Sequence, residues 1–166
     1  MRELQPRLAE LRRRALARAG VRCELRPEPG PGATRTQVDA YQKHLGFDLP
    51  ADYRAFLRMH RGFKNLAESV HFIDPLELMR ATGLARRVKA FLEEKQLIGQ
   101  AAVIGRREGL RTFVYLVRWS PERVEYVEEW PRIETMHSSL VALLDSYLGA
   151  SPKPPVIPPG PARPPP

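Results

Sequence analysis

Apolar positions along this chain recur with two periods, and the change between them marks out the elements. Leu4, Leu8, Leu11, Ala15 and Ala19 repeat at helical spacing among arginines, and Gly20 is placed to end that helix. Val38, Tyr41 and Leu45 form the stripe of a second helix, with Thr36 read as its cap and Asp39 three residues on. Gly46 is its predicted stop, because a left-handed residue there carries no steric cost for glycine. Pro50 then opens a third helix, whose stripe is Tyr53, Phe56, Leu57 and His60.

Beyond this pair the period shortens. Val70 to Ile73 reads as a strand, and Asp74-Pro75-Leu76-Glu77 combines a capping acid, a first-turn proline and a first-turn glutamate, which starts a helix. That helix is predicted to falter at Gly83. Another follows from about Leu84, with Val88, Phe91 and Leu92 inward and Arg86, Arg87, Glu93 and Glu94 outward. Ala101 to Ile104 is a short strand, and Thr112 to Trp119 is an unbroken β-rich run suited to burial on both faces. Ser120 to Arg123 turns the chain, Val124 to Glu128 returns as the hairpin partner, and Trp130-Pro131 ends it. A last helix, Ser139 to Leu148, buries Leu140, Leu143, Leu144 and Tyr147 and stops at Gly149. The pattern predicts an α+β fold, a mostly antiparallel sheet covered by helices.

Pro27 to Gly32 holds three prolines and two glycines and is read as a linker that breaks regular structure. This divides the 166 residues into a basic helical leader (1–26), a linker (27–33), one domain (34–149) and a proline-rich tail (150–166) expected to be disordered. The division changes the meaning of the net charge of +8. The leader holds eight arginines against three glutamates, whereas residues 34–149 hold 17 Lys and Arg against 15 Asp and Glu. The domain is nearly neutral, which argues against a nucleic-acid partner for it. No apolar run has the ~20 residues of a membrane span, and Arg12, Arg13 and Arg14 interrupt the leader where a signal peptide needs an apolar core. The single cysteine, Cys23, permits no internal disulfide, so a cytoplasmic protein is expected.

Candidate chemistry is sparse. His44, His60, His71 and His137 have no companions at metal-ligand spacing, and no metal or cofactor is predicted. Gly105-Arg106-Arg107-Glu108-Gly109 follows a strand but lacks the close backbone approach of a phosphate cradle, and reads as a charged hairpin loop. Glu93 and Glu94 are neighbours on a helix and point apart, so they make no acid–base pair. No catalytic residue emerges, and the chain is not expected to be an enzyme.

The helix pair carries one distinctive motif: Gly46, Leu49, Pro50, Tyr53, Phe56 and Leu57, followed by a turn glycine at Gly62. It resembles the signature of the SUKH superfamily, the Smi/Knr-type domain, over roughly residues 34–149. Where that family has Asn-Gly after the second helix, this chain has Arg61-Gly62. The resemblance implies an immunity protein that binds and neutralises a cognate polymorphic toxin without catalysis, and it treats the motif as architecture.

Two surfaces are candidates for the partner. Glu122, Glu125, Glu128 and Glu129, with Glu134 beyond, follow the last hairpin with Tyr126 and Trp130 interleaved. They read either as an acidic ridge that docks a basic partner or as charges that solvate a strand edge. Arg61 and Lys64 form the second candidate. Two other functions stand beside immunity: a regulatory adaptor using the domain and tail, and a nucleic-acid binder working through the leader.

Overall fold

The computed structural model describes residues 3–19, 26–67, 70–80, 82–94, 100–107, 112–129 and 134–149. In chain order the elements are α1 (Leu4–Ala19), β1 (Glu28–Pro29), α2 (Arg35–Leu45), α3 (Ala51–Met59), β2 (Phe63–Ala67), β3 (Val70–Phe72), α4 (Pro75–Arg80) and α5 (Thr82–Glu94). They continue as β4 (Gln100–Arg107), β5 (Thr112–Ser120), β6 (Arg123–Glu129), β7 (Glu134–His137) and α6 (Leu140–Tyr147). The strands form one seven-stranded antiparallel sheet in sequential order, so the fold is α+β.

β5 is apolar on both faces because it is covered on both. Val114 and Leu116 point into one core with Tyr53, Phe56 and Leu57 of α3, Tyr41 of α2, and Leu140, Leu143 and Leu144 of α6. Tyr115 and Val117 point the other way, into a smaller core with Phe91 of α5, Val103 and Val127. The larger core also takes Leu4, Leu8 and Leu11, each at most 5% exposed, so α1 packs into it. Arg7 donates from Nε (2.6 Å) and Nη2 (3.0 Å) to the Asp145 carboxylate, and Arg14 donates to the Leu148 carbonyl at 2.7 Å. Both tie α1 to α6.

Several expectations are corrected. The cap of α2 is Thr34, not Thr36: its hydroxyl accepts from the Gln37 amide, and the Gln37 side chain accepts from the Thr34 amide. This is a capping box two residues earlier than expected. Gly46 does stop α2 in the left-handed region, with φ 75°. Pro50 is the residue before α3 rather than its first. The segment 27–33 does not simply break structure, since Glu28 and Pro29 pair with Lys64 and Phe63. The backbone closes this edge further, with Gly30 N donating to Gly62 O and Arg61 N to Pro31 O, both at 2.8 Å. Gly83 lies inside α5, and Gly105 to Arg107 continue β4 rather than forming a loop. β2 and β7 were not expected. Lys64 and Asn65 interrupt β2, and Asn65 has φ 53° where the register with β3 shifts, so no clean alternation is present to read. Gly20, Cys23, Trp130 and the tail from residue 150 lie outside the described residues.

Candidate functional site

The helices cover the two faces unequally. On the face of the smaller core, Phe91 of α5 stacks on Tyr115 with ring centroids 3.9 Å apart. Toward β1 that same face opens into a groove of about 600 Å³ between α4 and the sheet edge. Strand alternation determines what lines it. Phe63 and Phe72 are register partners and are buried in the larger core, which turns their neighbours Lys64 and His71 to the groove. His71 pairs with Arg106, and Arg106 with Phe113, so the floor is a row across three strands, with Ile73 beside it. Asp74 and Glu77 form the helix-side wall, and Glu28 to Gly30 form the edge.

Gly62 sits at the junction. A Cβ there would lie 3.0 Å from both the Phe72 carbonyl oxygen and the Asp74 nitrogen, tighter than most real Cβ contacts. The glycine thus permits a close backbone approach, and a side chain there would require the chain at Phe72 to Asp74 to shift by a few tenths of an ångström.

The charges of the groove differ in how they are held. Arg61 Nε lies 3.3 Å from Asp74 Oδ2, with both side chains 23% exposed, and Asp74 Oδ1 accepts from the Leu76 amide at the start of α4. That arrangement is structural. Lys64 is exposed and loosely opposed to Glu28, with Nζ and Oε2 3.9 Å apart. Arg106 and Glu77 are exposed and have no ion-pair partner among the described residues. The two candidates Arg61 and Lys64 therefore separate: the first fastens α4, and the second faces the groove.

The acidic ridge is corrected more deeply, because β6 sends alternate residues to opposite faces. Tyr126 is wholly buried in the larger core, and its hydroxyl donates to Asp52 Oδ1 at 2.7 Å. Glu128 is 6% exposed and takes a 2.9 Å hydrogen bond from Arg107 Nη2. Glu129, on the other face, accepts from Arg87 Nη2 at 2.6 Å and from the Tyr115 hydroxyl at 3.1 Å. Arg87 was expected to point outward, yet this bond turns it onto the sheet, with its guanidinium carbon 5.2 Å from the Phe113 ring centre. Glu125 is half-buried beside Arg123 at 2.9 Å, and Glu122 is exposed in the turn. These residues make no single surface.

Asp52 is the polar residue that the sequence reading passed over. Its Oδ1 accepts from Tyr126 and the Tyr53 amide, and its Oδ2 accepts from the Leu140 amide at 2.6 Å. One carboxylate thereby joins the start of α3, the sheet and the start of α6. The signal for it was an acid in the first turn of α3, where the helix dipole favours negative charge. Leu49, Tyr53, Phe56 and Leu57 are all at most 2% exposed, so the motif around Asp52 is core rather than contact surface.

Among the described residues no group of three or more His, Cys, Asp or Glu side chains is placed to hold a metal ion. No helix among them is long and apolar enough to cross a membrane. Neither a protein-family model nor a curated protein matches this chain.

Proposed function

We propose that this chain is a SUKH-like immunity protein of the cytoplasm, which binds one cognate protein toxin and neutralises it stoichiometrically, with no catalytic step. The proposal rests on the resemblance carried by Gly46 to Gly62, and fold-level analogy alone never fixes function. The observation that carries the binding side of the reading is the groove. It is open, its floor mixes Phe113 and Ile73 with Arg106 and Lys64, and its walls carry exposed charge. An apolar centre within a polar rim is the make-up of protein–protein contacts, and an arginine beside an aromatic ring is typical of their energetic centre.

The test is co-expression with the toxin-like domain encoded beside this chain. Growth should be restored, and the purified pair should form a complex saturating at one to one. Neither rescue nor complex, with the toxin domain active, would reject immunity and leave the adaptor reading to be tested on other proteins.

The nucleic-acid alternative needs a different test from removal of the leader. Because Leu4, Leu8 and Leu11 belong to the main core, deleting α1 would unfold the protein whatever it binds. Reversing the exposed Arg12 is the cleaner probe. A nucleic-acid binder would then lose affinity and show a shallower salt dependence.

A further inference from the structure

We propose that the groove receives an extended segment of the protein partner that sets a carboxylate side chain on Arg106. This rests on the reading of the chain as a protein-binding domain and goes on to name the chemistry of what it binds.

Several arginines around the sheet are already paired. Arg61 is held by Asp74, Arg87 by Glu129 and Arg107 by Glu128. Lys64 faces Glu28 across 3.9 Å. Arg106, in the middle of the groove floor, has no ion-pair partner among the described residues. Its strand neighbours are His71 on one side and Phe113 on the other. A guanidinium beside an aromatic floor is well matched by a planar carboxylate, which accepts two parallel N–H bonds.

The wall residue Glu77 then orients the ligand. It is also without an ion-pair partner, and it faces the same space from α4. A second carboxylate on that side would be repelled, so the segment should present a neutral or basic residue toward α4 and its acid toward β4. At about 600 Å³ the open groove has the volume of clefts that bind a drug-sized group, room for one or two side chains of an extended segment.

The probe is a phage-displayed library of random 12-residue peptides, selected on the full-length protein. Peptides that survive should share an Asp or Glu at one position. They should bind an Arg106→Glu variant, and an Arg106→Gln variant, about tenfold or more weaker, as loss of a charge-assisted bond requires. Changing the shared acid to its amide should have the same effect. An Arg35→Glu control, reversed on the far side of the sheet on a side chain 84% exposed, should bind normally. Circular dichroism of both Arg106 variants separates lost binding from lost folding.

Three results overturn the proposal: no peptide survives, the survivors share no acid, or they bind the Arg106 variants as tightly as the wild type. None of these uses the toxin. Failure of the growth rescue while acidic peptides still require Arg106 removes immunity and keeps the groove. Full rescue by Arg106→Glu, with peptide binding unchanged, removes the groove and keeps immunity.

Discussion

Glu128 and Glu129 are neighbours in sequence and occupy opposite faces of the sheet, and the two ion pairs they make differ in consequence. On the face packed by α1, α2, α3 and α6, the side chains of Arg107 and Glu128 are 10% and 8% exposed. On the other face, those of Arg87 and Glu129 are 37% and 14% exposed. The first pair has given up most of its water and relies on bonds made within the protein. The second keeps part of its solvation and fastens one helix, α5, beside the open groove. The larger core lies on the first face, and the open groove lies on the second.

The largest expected effect tests the first face. Glu128→Ala removes the carboxylate to which Arg107 Nη2 donates, in a pair whose side chains are at most 10% exposed, a loss of about 3–5 kcal/mol in chemical denaturation. A loss below ~1 kcal/mol would mean that water reaches Arg107 and that the two faces hold their ion pairs alike. Asp52→Asn comes next. It keeps the size of the side chain but weakens the acceptor for Tyr126 and the Leu140 amide, at a cost of about 2 kcal/mol. Its effect should shrink in a Tyr126→Phe background, which removes one of the donors, and strict additivity would count against a shared network.

Arg87→Ala should cost only about 1 kcal/mol, because its pair is partly solvated and the ring contact with Phe113 adds little to it. The sharper measurement is amide hydrogen exchange. Protection should fall in α5 while the amides of α3 and α6 keep theirs, as expected when one element opens without the rest. A uniform fall across the molecule would show that α5 is no more separable than the helices of the first face.

What was legible in the sequence follows the same division. Helix stripes facing the large core, the left-handed stop at Gly46 and the two-sided run of β5 were all readable, because each is a local pattern with one physical cause. β2 and β7 were not, since Lys64 and Asn65 interrupt one and the other is only Glu134–His137. The acidic ridge failed for a more instructive reason. Applying the two-residue period to Val124 to Glu129 would have placed Tyr126 and Glu128 on the apolar face with Val124. The charges alone concealed it. The groove was beyond reach of local pattern altogether, because its lining joins residues from β2, β3, β4 and β5 that only sheet register brings together.

The smallest effect at neutral pH belongs to His137, and it grows with acid. The residue is 2% exposed, pairs across the sheet with Tyr126, and has no hydrogen-bond partner for either ring nitrogen among the described residues. Burial lowers its pKa below the ordinary value, since a charged ring there would have no solvent to stabilise it. The unfolded chain therefore binds this proton at a higher pH than the folded one does. Well above pH ~6.5 neither state is protonated, and the group makes stability no more dependent on pH. As pH falls below that value the unfolded state gains a proton first, so stability declines until the folded pKa is passed. His137→Leu removes both orphan nitrogens and should flatten the decline between pH 7.5 and 5.5, with little change at the upper end. Equal slopes for wild type and variant would mean that the imidazole finds water or a partner as it charges, and that the first face is less dry than its ion pair implies.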